Sequence, residues 1–173
     1  MRRAFEVTPP DLRKVWLLPA TGLCAAVVGV AFAARTDARA WMLLAVLAPI
    51  FAFIAWSLRR REVVIDDNRL QVRAGINSIS IPLDALDIAS ARVIDMDREP
   101  GLRPMWKTFG TSLPGFHAGH FRLRDRSRAF LLLTDRRKVV ALRERDGRNL
   151  LLSLSRPQAL IDALGHDSEH HSR

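Results

Sequence analysis

Hydrophobic and polar positions change rhythm twice along this chain. Two unbroken apolar runs come first, Val15 to Ala34 and Ala40 to Leu58, separated by the polar stretch Arg35-Thr-Asp-Ala-Arg39. Each run holds 19 or 20 residues. An α-helix rising about 1.5 Å per residue needs that length to cross roughly 30 Å of hydrocarbon. Apart from the thiol of Cys24, neither run contains an ionisable side chain. The pattern predicts a transmembrane helical hairpin over 15–34 and 40–58, preceded by a cytoplasmic N-terminal segment, 1–14. Gly22, Ala25, Ala26, Gly29 and Ala33 recur at helical spacing along the first helix, and small residues on one face let two spans approach closely. A transport pathway needs a polar or ionisable group at mid-membrane. Only Thr21, near one end, comes close, so the hairpin reads as an anchor.

After Arg61 the period becomes two. Glu62 to Asp66 is a short apolar strand, and Asp67-Asn68 supplies turn residues that tolerate positive φ. Leu70, Val72 and Ala74 alternate with Gln71 and Arg73, and Ile76 to Ile81 alternates again before Pro82. Ile88 to Asp95 is a further strand. Met96 to Gly119 carries so many prolines and glycines that it reads as a long loop rather than a regular element. Strands return at His120–Arg124, Ala129–Thr134, Lys138–Arg143 and Leu150–Leu154, with Asp146-Gly147 as a hairpin signal. Ser155 and Pro157 then open an amphipathic helix that presents Leu160, Ile161, Ala163 and Leu164 to a core. Gly165 is expected to end it, leaving 165–173 as a disordered polar tail.

About seven short antiparallel strands followed by one helix is the order of a pleckstrin-homology-like barrel whose helix caps an open corner. The chain resembles the bacterial membrane-anchored PH-like domain family. The similar stretches are Val63 to Arg73, Ile79 to Leu83, Phe130 to Thr134, Val139 to Arg143 and Asp146 to Ser153. The likeness spans about 62–164, and it lies in layout and hydrophobic pattern. It implies a PH-like domain over 59–164 with no catalysis, and it carries over no catalytic residue and no specific ligand.

Charge adds orientation. Arg2, Arg3, Arg13 and Lys14 flank the first run and Arg59, Arg60 and Arg61 follow the second, against two arginines in the turn. Basic flanks favour the cytoplasm, so the expected location is a bacterial inner membrane, multi-pass, with both termini cytoplasmic. Trp16, Trp41 and Trp56 fall at span ends, where an indole is half apolar and half wet. A cleaved signal peptide is the rival for the first run. However, the run exceeds the usual apolar region of about 7–15 residues, and a second span follows directly.

Candidate chemistry is sparse. His117-Ala-Gly-His120 tempts a metal reading, yet ligands three apart on an extended segment face opposite sides and no third His or Cys completes a shell. His166, His170 and His171 lie in the polar tail. Ser112, Ser153 and Ser155 lack the frame of a nucleophile elbow, and no glycine-rich phosphate loop precedes a helix. The expectation is no enzyme, no metal and no cofactor. From Arg59 onward, 21 Lys and Arg stand against 15 Asp and Glu. Interleaved acids and the lack of a recognition helix argue against nucleic acid.

Two binding readings remain. The first is a non-catalytic module that recognises a membrane-associated protein partner in an assembly or regulatory role. Its candidate surface is Arg98, Arg103, Met105, Trp106, Lys107 and Phe109, basic and large apolar side chains mixed on one segment. The rival for that segment is a lid over one end of the barrel. The second reading is direct sensing of anionic lipid headgroups by a basic surface, with Arg59, Arg60 and Arg61 membrane-proximal by position. Such residues contribute about 1 kcal/mol each beside an anionic leaflet.

Overall fold

The computed structural model describes residues 3–35 and 41–171. Asp11 caps the first helix, its carboxylate accepting from the Arg13 amide at 3.1 Å, and α1 runs from Leu12 to Ala33. A second helix, α2, covers Trp41–Arg59 and packs on α1. By length and composition, Val15–Ala33 is apolar enough to cross a membrane, with a mean hydropathy of 2.0. Most of the expected turn, residues 36–39, lies outside the described residues. The base of α1 is not free. Val15, only 1% exposed, belongs to the core of the domain that follows α2, and Trp16 packs against that core.

The first sheet has the order β1-β2-β3-β4, with β1 Arg3–Phe5, β2 Arg61–Asp66, β3 Arg69–Ala74 and β4 Asn77–Pro82. Asp67 and Asn68 turn β2 into β3 with φ of 46° and 59°, the conformation a two-residue hairpin needs. The N-terminal segment supplies a strand. Arg3, Ala4 and Phe5 pair antiparallel with Ile65, Val64 and Val63. The chain then crosses to the other sheet. Val7 bridges Leu154, the Thr8 amide donates to Ser153 O at 3.2 Å, and the Thr134 hydroxyl donates to Thr8 O at 2.6 Å. Six residues thus stitch both sheets together ahead of the first helix.

The second sheet comprises β5 Leu86–Ile94, β6 Pro104–Leu113, β7 Phe116–Leu123, β8 Arg128–Leu133, β9 Val139–Glu144 and β10 Asn149–Ser153, in the order β5-β9-β10-β8-β7-β6. Expectations change here in three respects: closure and strand number, strand direction, and the segment 96–119. The described residues form two open sheets rather than a closed barrel, and nine strands follow α2 rather than about seven. The sheet is not wholly antiparallel, because β10 inserts between β9 and β8 and runs parallel to β8, Ala129–Leu132 against Asn149–Leu152. The unbroken runs Phe130-Leu-Leu-Leu and Leu150-Leu-Leu explain this, since central strands covered on both faces have no polar side to alternate. Phe130, Leu132, Leu150 and Leu152 face the core between the sheets, while Leu131, Leu133 and Leu151 face a second cluster on the outer side.

The third change is the segment 96–119, which is not one loop. Its first part crosses the outer face of the second sheet, because β5 and β6 occupy opposite edges. Met96 and Leu102 cover the outer cluster there. The Met96 amide donates to Arg136 O at 2.9 Å, and the Arg124 amide to Arg103 O at 3.0 Å, pinning the crossing at both ends. The second part is the β6–β7 hairpin. Its prolines sit where strands accept them, at the start of an edge strand and in the turn.

Val64, Leu70, Val72, Ile81, Phe121, Leu123, Leu131, Leu133, Val140, Leu142, Leu151 and Leu160 are buried, whereas Ile79 is only half-buried. Arg73 and Arg122 are exposed, as their alternation requires. The last helix, α3, runs over Pro157–His171, continuing past Gly165 where an end was expected. Gly165 sits over open space without a positive φ, so nothing there forces a stop.

Candidate functional site

Edge strand β6 owes its shape to irregular pairing. Pro104 opposes Leu123, Trp106 opposes Arg122, Lys107 opposes Phe121 and Phe109 opposes His120. Met105 and Thr108 are therefore extra residues that break the ladder twice, and such bulges bend and twist a strand. Further along, Gly110 and Gly119 face each other with φ of 143° and 117°. A Cβ on Gly119 would lie 2.4 Å from Phe109 O and 2.8 Å from the Asn77 side-chain amide nitrogen. The two glycines let the hairpin backbones pair closely, with the Asn77 side chain packed over Gly119 where no further side chain fits. Beyond them Leu113 and Phe116 return to the inter-sheet core.

This geometry sets large apolar groups in the open. Met105, Trp106 and Phe109 are 64%, 69% and 61% exposed. A groove of about 390 Å³ runs beside them, lined by Met105, Trp106, Thr108, Arg122, Leu123 and Arg126. The β7–β8 turn holds the two arginines in place. Arg122 donates to Arg126 O at 3.2 Å, Arg126 adopts a φ of 68°, and the Asp125 carboxylate is engaged by the amide and hydroxyl of Ser127 at 2.9 and 2.6 Å.

The sequence-nominated residues separate on the structure. Met105, Trp106, Lys107 and Phe109 stand together on β6. Arg103 is a pin for the crossing segment, donating to Met96 O at 2.9 Å and Asp97 O at 3.1 Å and pairing with the Asp97 carboxylate at 3.3 Å. Arg98 is exposed on the same crossing but does not line the groove. Arg122 and Arg126, absent from the nominated surface, do line it. The pairing that brings those two arginines beside β6 is set by the register of β6 with β7.

Arg59 ends α2. The Arg60 guanidinium stacks 4.6 Å from the Trp56 ring centroid. Arg61 opens β2 half-buried, with one guanidinium nitrogen enclosed and without a hydrogen-bond partner among the described residues, and burial lowers its pKa. His117 and His120 face opposite sides: the first meets Phe121 edge-on and lies 3.0 Å from the Ser112 hydroxyl, the second meets Phe130. Both have lowered pKa values, from burial first and then from Arg136 for His117 and Arg148 for His120. A smaller hollow of about 160 Å³ on β2 and β3 is lined by Glu62, Val64, Asp66, Gln71 and Arg73, and the Glu62–Arg73 ion pair at 3.2 Å lies within it.

A family model described as a bacterial PH domain matches residues 61–167. The chain belongs to the bacterial PH domain family. Comparisons with curated proteins and with solved structures give no match. PH domains are generally non-catalytic binding modules, and the matched span begins at the first residue of β2 and takes in the β6–β7 hairpin. Strand β1 and the base of α1 lie outside the matched PH domain although they complete its sheet and core.

Proposed function

We propose that this chain is a membrane-anchored binding module that recognises a membrane-associated protein through the β6 edge of its PH domain. The observation that carries the proposal is the exposure of Met105, Trp106 and Phe109 on one edge strand, beside a groove with arginines on its rim. A folded domain has no internal use for side chains it leaves in water, and clustered ones favour an interaction surface over a lid. In this reading α1 and α2 cross the bacterial inner membrane as a hairpin, with both termini cytoplasmic. The pairing of β1 with β2 supports that topology, since it brings the chain before α1 to the chain after α2.

The test replaces Trp106 and Phe109 together with Ser in the full chain. Both side chains are exposed, so the melting temperature should hold within the equivalent of about 0.5 kcal/mol each, while partner recovery by crosslinking in native membranes should be lost. A large fall in stability with unchanged recovery would make the hairpin a structural lid.

A second reading, direct contact with anionic lipid headgroups, is favoured by the placement of the exposed Arg60 and the half-buried Arg61 at the junction of α2 and β2. Retention of an Arg61→Gln variant's affinity for phosphatidylglycerol vesicles would remove it.

A further inference from the structure

We propose that the groove beside β6 takes an acidic stretch of the partner protein that carries at least one large apolar side chain. This rests on the binding-module reading and names the chemistry of its partner. Six residues line the groove; two are arginines and none is a carboxylate. Lys107 stands on the same strand, and Arg124 and Arg128 extend the basic charge along the adjoining turn. Among the described residues none of these five cations has an ion-pair partner. Asp125 interrupts the run of arginines in that turn, where its carboxylate accepts from Ser127. Positive potential of this kind steers and orients an acidic segment, while Trp106 and Met105 offer an apolar wall for an anchor residue.

The manner of recognition follows from the bulges. Strand addition needs an uninterrupted edge, and Met105 and Thr108 interrupt this one twice. Side chains in the groove, not a backbone ladder, therefore carry the contact. A membrane surface fits less well. A bilayer meets protruding side chains but leaves a concave groove unfilled, and two spans already make further lipid affinity redundant for anchoring.

The experiment places a photo-crosslinking benzoylphenylalanine at position 106 of the full chain in native membranes and identifies the adduct by mass spectrometry. The expected adduct is a protein segment rich in Asp and Glu with a large apolar residue. Its yield should fall about tenfold on Arg126→Glu and further when Arg122→Glu is added. Arg126→Glu is the decisive variant, because its side chain is exposed and lines the groove, whereas the Arg122 side chain also holds the turn. A lipid adduct, an adduct to a second copy of this chain, a neutral or basic segment, or a yield indifferent to Arg126→Glu would each overturn the inference. Absence of any adduct from a variant that melts normally would instead overturn the binding-module reading beneath it.

Discussion

At the scale of single residues, Gly119 shows how local geometry decides a hairpin. Its φ of 117° and the 2.4 Å approach to Phe109 O leave no room for a Cβ. Gly119→Ala should destabilise the domain by on the order of 2–4 kcal/mol. Gly165→Ala, on a helix surface with open space around it, should be neutral or stabilise by about 0.5–1 kcal/mol. Equal melting shifts for the two variants would contradict that contrast. The histidines make a pH prediction. In the unfolded chain each titrates near 6.5; in the fold, burial and arginine neighbours lower the value. The unfolded state therefore binds protons first as pH falls, so the contribution to stability is complete above about 6.5 and is lost progressively below it. Melting followed between about pH 7.5 and about pH 5.5 should show the decline, and His117→Gln with His120→Gln should flatten it.

Among elements, alternation was legible and continuity was ambiguous. Leu70, Val72 and Ala74 announced a half-buried strand at sight, and Asp67-Asn68 announced its turn. Phe130 to Leu133 announced a strand, but not that both its faces are covered or that its neighbour is parallel. Asp146-Gly147 is a turn, yet a longer one than expected: only Gly147 has positive φ, and Glu144 and Arg148 close it with an ion pair at 2.6 Å. The β6–β7 hairpin was hidden because its glycines and prolines read as breakers when two of those glycines are the means of close pairing. Half of the candidate surface was legible as Met105, Trp106, Lys107 and Phe109; the arginines across the groove depend on a register that bulges shift. Strand β1 gave no signal of its own at three residues. Deleting residues 1–8 should nevertheless lower the stability of the PH domain by on the order of 2–4 kcal/mol, since Phe5 and Val7 pack on its core. Hydrogen exchange at β2 amides should rise in that variant; unchanged protection would show β1 to be an ornament.

For the whole molecule, charge and pairing point the same way. The net charge is +9, and basic residues crowd both ends of the helical pair. A reporter fused after Arg173 should behave as cytoplasmic, and one inserted in the 36–38 turn as external. Protease access to the PH domain from outside intact cells would sink the topology. The base of α1 adds rigidity to this arrangement. With Val15 in the core and Trp16 against it, the domain is held by packing as well as by the chain, so the groove beside β6 faces a defined direction relative to the helices.

The first strand of the sheet is translated before either helix, and its partners Val63 to Ile65 and Leu154 come after both. During synthesis the residues of β1 must wait, unpaired, until both helices and β2 have emerged, and Val7 waits almost to the end. Under the proposed hairpin topology, a molecule whose first helix inserted in the wrong sense would leave those residues on the far side of the bilayer. Its PH domain would then lack an edge strand and the Phe5, Val7, Val15 and Trp16 contributions to its core. Such a molecule could not complete its native sheet. Under the proposed topology folding would thereby proofread insertion, because the sheet forms only in a chain whose residues before α1 and after α2 lie on one side of the membrane.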